Sequence, residues 1–131
     1  MARPLTGRPT DGELEILNVL WERGPSTSSE VRDAIALTRP VSAGTVQKAL
    51  QIMARKRLVA IDRSHRTHVF RPQEPRGAVV ARMVTDLLKR ALEGSRYRLM
   101  MHALESKPLS REEREGIRHL LEEAAPLESE Q

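Results

Sequence analysis

Between residues 58 and 72 the apolar residues of this chain change period, and no other feature restricts its fold as strongly. After Leu58, Val59 and Ile61 alternate with Ala60 and Asp62, residues 67–71 bring Val69 and Phe70, and the polar tip Arg63, Ser64, His65, Arg66 lies between. Alternation on both sides of a short polar tip predicts a β-hairpin. Pro72 ends its second strand, because proline offers no N–H to a ladder. A larger sheet is not expected. Trp21, Phe70 and Tyr97 are the only aromatic residues, so the interior falls to Leu, Val, Ile, Met and Ala, which favour helices. The expected fold is therefore mainly α with a small β-hairpin. With 131 residues, 39% hydrophobic and 31% charged, it amounts to about one ordinary soluble domain, divisible into two small lobes.

Upstream of the hairpin the apolar spacing is helical three times over. Thr10 with Glu13 three residues on forms a capping-box pattern, and Leu14, Leu17, Val19, Leu20 and Trp21 carry an apolar stripe to about Arg23, where Gly24 and Pro25 stop it. Thr27 with Glu30 repeats the pattern for a second helix, with Val31, Ala34, Ile35 and Leu37 read as inward; residues 38–40 interrupt it. Ser42 starts a third, predicted to about residue 57. At 100° per residue Val46, Leu50, Met53 and the aliphatic part of Arg57 share its inward stripe. Its opposite face carries Gly44, Thr45, Lys48, Ile52 and Arg55.

Three helices followed by a basic hairpin is the order of a winged helix-turn-helix, in which the third helix enters the major groove and the hairpin reaches adjoining phosphates or the minor groove. The charge supports that reading. Residues 1–73 hold 12 Lys/Arg against 7 Asp/Glu, whereas residues 74–131 hold 10 against 11. Within residues 39–73, eight cations (Arg39, Lys48, Arg55, Lys56, Arg57, Arg63, Arg66, Arg71) oppose only Asp62. Ser42, Thr45, Lys48 and Ile52 are the expected base-proximal residues, Ile52 as a partner for a thymine methyl. Arg55, Arg63, His65 and Arg66 are the expected contacts to the DNA backbone.

From Pro75 the period is helical again. Val79, Val80, Met83, Val84, Leu87, Leu88, Ala91 and Leu92 line one long helix, which Gly94 and Ser95 break. Tyr97, Leu99, Met100, Ala103 and Leu104 suggest a second helix. Ser110 and Glu113 cap a third, with Ile117, Leu120 and Leu121 inward. Three helices with this much apolar surface do not enclose it within one chain, so a twofold partner is expected to cover it. Val80, Met83, Val84, Leu87, Leu88, Ala91, Leu99, Met100, Leu104 and Leu120 are the expected dimerisation residues. The predicted organisation is a flexible arm over residues 1–9, a winged-helix DNA-binding domain over 10–73 and a helical dimerisation domain over 74–131.

These residues resemble a known family. The string from Gly12 through Leu20-Trp21 to Gly24-Pro25, residues 27–36, Ser42-Ala43-Gly44-Thr45-Val46, Phe70-Arg71-Pro72, Gly94-Ser95 and Leu109-Ser110-Arg111-Glu112-Glu113 is similar to the penicillinase repressor family of BlaI/MecI/CopY-type regulators. The resemblance runs from about Leu5 to Glu123. It implies a homodimeric winged-helix repressor that binds inverted-repeat operators in double-stranded DNA and dimerises through its C-terminal helices. In the antibiotic-resistance branch it further implies a membrane sensor peptidase that triggers cleavage of the repressor; as a partner of this chain it would act indirectly. The cleavable branch has an Asn-Phe bond in the helix after Gly-Ser, where this chain has His102-Ala103. Family members commonly carry Trp, Arg and Gly where this chain has Val41, Ile52 and Arg57, so operator sequence does not carry over. The copper-sensing branch uses a C-terminal cysteine cluster, and this chain has no cysteine.

The same lack of cysteine removes disulfides and thiol chemistry and accords with a reducing compartment. No apolar run approaches the roughly 20 residues of a membrane span, and residues 1–7 lack the apolar core of a signal peptide, so a cytoplasmic protein without membrane insertion is expected. No cofactor is expected. His65 and His68 lie three apart in the hairpin and His102 and His119 in separate helices, whereas a zinc site needs four converging ligands, so no metal site is expected either. Neither a phosphate-cradling glycine loop nor a nucleophile elbow occurs, and Glu112, Glu113 and Glu115 read as first-turn helix stabilisers, so no enzyme is expected. The alternative of another class is a helical protein-interaction adaptor or antidote-like regulator, whose basic lobe is incidental.

Overall fold

The computed structural model describes residues 8–124. Its elements run α1 (Asp11–Arg23), α2 (Ser28–Ala36), α3 (Ala43–Arg55), β1 (Val59–Asp62), β2 (Val69–Pro72), α4 (Arg76–Ala91), α5 (Arg96–Ser106) and α6 (Arg111–Glu123). Three helices and an antiparallel hairpin form the winged helix-turn-helix order, and three further helices follow. The chain separates into two compact units, Met1–Thr85 and Asp86–Gln131, so the boundary falls inside α4. Most of the arm predicted over residues 1–9 lies outside the described residues. Of the two that are described, Arg8 is exposed and Pro9 is buried.

Helix starts follow from side chains that satisfy the free amides of a first turn. The Thr10 and Thr27 hydroxyls accept the amides of Glu13 and Glu30, whose carboxylates accept the threonine amides in return. Ser110 and Glu113 do the same for α6, the role expected of Glu113. Between α1 and α2, Gly24 adopts φ 88°, a left-handed turn suited to glycine. Ser26 then pairs with Phe70 as an isolated bridge, through bonds of 2.9 and 2.7 Å. That bridge ties the second hairpin strand to the α1–α2 loop.

The core of the first unit gathers Ile16, Leu17 and Leu20 from α1, Val31 and Ile35 from α2, Val46, Leu50 and Met53 from α3, and Leu58, Val59 and Phe70 from the hairpin region. Ile16 joins residues foreseen from periodicity, while Leu14, Val19 and Trp21 are only half-buried. The hairpin pairs Val59 with Pro72, Ala60 with Arg71, Ile61 with Phe70 and Asp62 with Val69. Its second strand begins at Val69 rather than at Thr67, because residues 63–68 form the exposed tip.

Two inward assignments are corrected. Leu37 is 84% exposed: α2 ends at Ala36, and Leu37 turns outward as its cap. Arg57 lies beyond the end of α3, at φ 63°, and is exposed. Its amide donates to the Ala54 carbonyl at 3.1 Å, and that of Leu58 to the Met53 carbonyl at 2.9 Å. This is a Schellman termination with an arginine in the left-handed position, which costs a non-glycine residue on the order of 1 kcal/mol.

The start of α4 belongs to the first unit. The Trp21 indole donates to the Glu74 carbonyl at 3.0 Å, Arg76 sits 5.3 Å from the Trp21 ring centroid, and Arg82 grips Glu74 through two bonds of 2.7 Å. That double bond from Arg82 holds the Glu74 carboxyl below its ordinary pKa. Val79 is buried. In the second unit no described residue is buried.

Candidate nucleic-acid interface

The geometry of α3 begins with what it hides. Val46, Leu50 and Met53 are 1% or less exposed and fix the rotation of the helix about its axis. The 3.6-residue period then sends Thr45, Lys48 and Arg55 outward, and all three are exposed. Ile52, expected on the same face, is half-buried, so part of its side chain meets solvent. Gly44 stands on this face with open space around its α-carbon. Gln47, exposed, and Gln51, half-buried, also lie there and were not among the expected contacts. The signal for them was available: both fall outside the apolar stripe, and a glutamine amide can pair twice with adenine.

Ser42 caps the helix. Its hydroxyl accepts the Thr45 amide at 3.1 Å and donates to the Thr45 hydroxyl oxygen at 2.8 Å. The two expected base-proximal hydroxyls are thus linked, which leaves the Thr45 hydroxyl proton for an outside acceptor.

The basic stretch divides into cations that hold the fold and cations that do not. Lys56 extends its Nζ to both oxygens of buried Glu13, at 2.7 and 2.9 Å, joining the end of α3 to the start of α1. Burial pushes the Glu13 carboxyl up, but the bonds from Lys56 and from the Thr10 amide outweigh that and leave it below its ordinary value. Arg39 closes on Glu15 at 2.6 Å, and this hydrogen bond lowers the Glu15 carboxyl. Arg32 holds the turn before α3 by donating to the Val41 carbonyl. By contrast, Lys48, Arg55, Arg57, Arg63 and Arg66 make no ion pair among the described residues, and all are exposed.

The hairpin tip is ordered by its one acid. Asp62 Oδ1 accepts the Ser64 amide at 2.9 Å and the Ser64 hydroxyl at 2.6 Å, and these bonds lower its pKa. Arg63, His65 and Arg66 therefore project from a defined turn and are exposed, and the two arginines make no ion pair among the described residues. A phosphate backbone suits such a tip, because cations that have no internal partner give up only water to reach it.

The ten apolar residues expected at a dimer interface share one property: none is buried. Val80, Val84, Leu87, Met100, Leu104 and Leu120 are 36–66% exposed; Ala91 is exposed, and Met83, Leu88 and Leu99 are half-buried. Tyr97, Met101 and Leu121 add to the exposed apolar surface. Among the described residues no helix is long and apolar enough to cross a membrane.

Comparison with known proteins bears on this arrangement. The penicillinase repressor family profile matches residues 9–123. The transcriptional regulator BlaI of Mycobacterium tuberculosis, in strains CDC 1551 / Oshkosh and ATCC 25618 / H37Rv alike, is 33% identical over 116 residues, covering 86% of this chain and 83% of the relative. The penicillinase repressor of Bacillus licheniformis is 25% identical over 114 residues, covering 87% and 89% respectively.

Proposed function

This chain belongs to the penicillinase repressor family, a family of transcriptional regulators rather than of enzymes, and from that premise we propose that it represses transcription by occupying a pseudo-palindromic operator as a homodimer in the cytoplasm. The observation that carries the reading is the division of α3. One face is sealed into the core, and the other presents small, polar and cationic side chains, of which Lys48 and Arg55 make no ion pair among the described residues.

In this reading residues 10–73 form the DNA-binding lobe, and Ser42, Thr45, Lys48, Ile52 and Gln47 meet base edges in the major groove. Arg55, Arg63, His65 and Arg66 meet phosphate, fixing register without reading sequence. The apolar helix faces after residue 74 cover one another across a twofold axis. That pairing sets two recognition helices about 34 Å apart, one helical turn of DNA, and blocks polymerase access. Any sensor peptidase would act on this repressor indirectly.

The test is the salt dependence of binding to the region upstream of the chain's own gene. With about four phosphates neutralised per chain, the log-log slope is expected near roughly −7. A slope near zero, together with a protein that co-purifies, favours the adaptor reading instead. Within the same assay Lys48→Ala is expected to relax discrimination between operator and random duplex by about 1–3 kcal/mol, whereas Arg66→Ala weakens both alike.

A further inference from the structure

Arg57 stands where the backbone asks for glycine. Its φ of 63° is imposed by the two hydrogen bonds that close α3, from the Arg57 amide to Ala54 and from the Leu58 amide to Met53. A side chain in that region strains the backbone, and residues so strained cluster at functional sites. The use is not internal. Arg57 is exposed and makes no ion pair or side-chain hydrogen bond among the described residues, whereas its neighbour Lys56 is spent on Glu13. Compensation of the α3 dipole does not require it, because Arg55 in the last turn and Lys56 at the cap already place cations there.

The position itself indicates what the guanidinium meets. Arg57 lies two residues past the end of α3 and two before the start of β1, so it is anchored at the joint between the helix that carries the proposed base contacts and the hairpin whose tip carries most of the proposed phosphate contacts. We propose that Arg57 is a further DNA-positioning residue: its guanidinium grips a phosphate diester of the duplex at the helix–wing joint. A planar, permanently charged fork suits two phosphate oxygens at once, which a lysine cannot match. This assignment rests on the repressor reading above. It adds that the chain gives up fold stability at this residue for affinity.

The experiment combines thermal melting with salt titrations of full-length wild type, Arg57→Gly, Arg57→Lys and Arg66→Ala, on the upstream fragment and on random duplex. Arg57→Gly is expected to melt a few degrees higher, because glycine releases the strain. It is also expected to bind both duplexes roughly 3–10-fold more weakly, with a slope near roughly −7 against roughly −9 for a wild-type dimer in which Arg57 adds a fifth phosphate per chain. Arg57→Lys should keep the slope yet lose part of the affinity. If Arg57→Gly matches wild type in slope and affinity, Arg57 is a cap residue only and the assignment falls. A melting point unchanged or lowered removes the trade that supports it, and a loss confined to the upstream fragment means a base contact instead. A wild-type slope near zero overturns the repressor reading as a whole, with Arg66→Ala then equally silent.

Discussion

In the N-terminal unit eleven apolar side chains from three helices and a hairpin region close on one another until all are 3% exposed or less. In the C-terminal unit apolar residues recur with the same helical regularity, yet Leu87, Tyr97, Met101, Leu104, Leu120 and Leu121 remain 42–73% exposed. The difference lies in topology rather than composition. A hairpin whose second strand is bridged to the α1–α2 loop folds residues 10–72 back on themselves, so the stripes of α1, α2 and α3 find neighbours within the chain. The second unit has amphipathic helices without such a closing element. Periodicity states which face must leave water, and not what will cover it. The first unit should therefore owe its stability to its own sequence, and the second to a second copy.

The largest expected effect tests the closed side of that contrast. Leu50→Ala, at a side chain with no exposure, should cost about 3–4 kcal/mol through lost burial and the cavity left behind. Urea unfolding followed by Trp21, the only tryptophan, should show that loss independently of protein concentration. Leu87→Asp tests the open side. A carboxylate on the apolar face proposed to pair should weaken the proposed dimer by about 2–3 kcal/mol, roughly 30–150-fold in its dissociation constant, with little change in the Trp21 signal. Sedimentation at several concentrations reads the first effect, and the emission of Tyr97, the only tyrosine, follows the helical unit. If Leu87→Asp leaves association untouched, or if Leu50→Ala becomes concentration-dependent, the contrast is wrong.

The same contrast explains how much was legible in the sequence. Capping pairs at Thr10, Thr27 and Ser110, the breaks at Gly24 and Gly94, and the alternation after Leu58 are local signals, and each element formed where they pointed. Leu37 and Arg57 lie one and two residues past a helix end, where the chain has already turned, so helical periodicity assigns them the wrong side. The division of the basic stretch was hidden for a different reason. Lys56 meets Glu13 across 43 residues and Arg39 meets Glu15 across 24, pairings that only the tertiary fold creates. On the exposed face of α3, Thr45 and Lys48 follow directly from the buried stripe. Gln47 is equally exposed, but a neutral amide carries neither the charge nor the hydropathy that marks a position in a single sequence.

The Glu13–Lys56 pair offers the smallest of these tests and the one most local to the closed unit. Glu13→Gln keeps an oxygen for the Thr10 amide but removes the charge that Lys56 faces. With Lys56 about one-third exposed, the loss should be about 1–2 kcal/mol, short of that for a fully buried pair. The pH dependence has a definite sign. The folded-state pKa of Glu13 lies below its ordinary value of 4.5, so the unfolded chain binds its proton more readily. The stabilisation is complete above the unfolded value and disappears as pH falls through the lower folded one. In the wild type, then, the Trp21 transition should move to lower urea as pH drops below about 4.5, and in Glu13→Gln that shift should be smaller. The helical unit's ion pairs, such as Arg98–Glu93 and Arg118–Glu115, are exposed on both partners and should add little to this acid limb. An acid limb that persists unchanged in Glu13→Gln would place the sensitive carboxylate elsewhere. If that limb instead follows Tyr97 and protein concentration, acid loosens the association of the helices before it reaches the closed core.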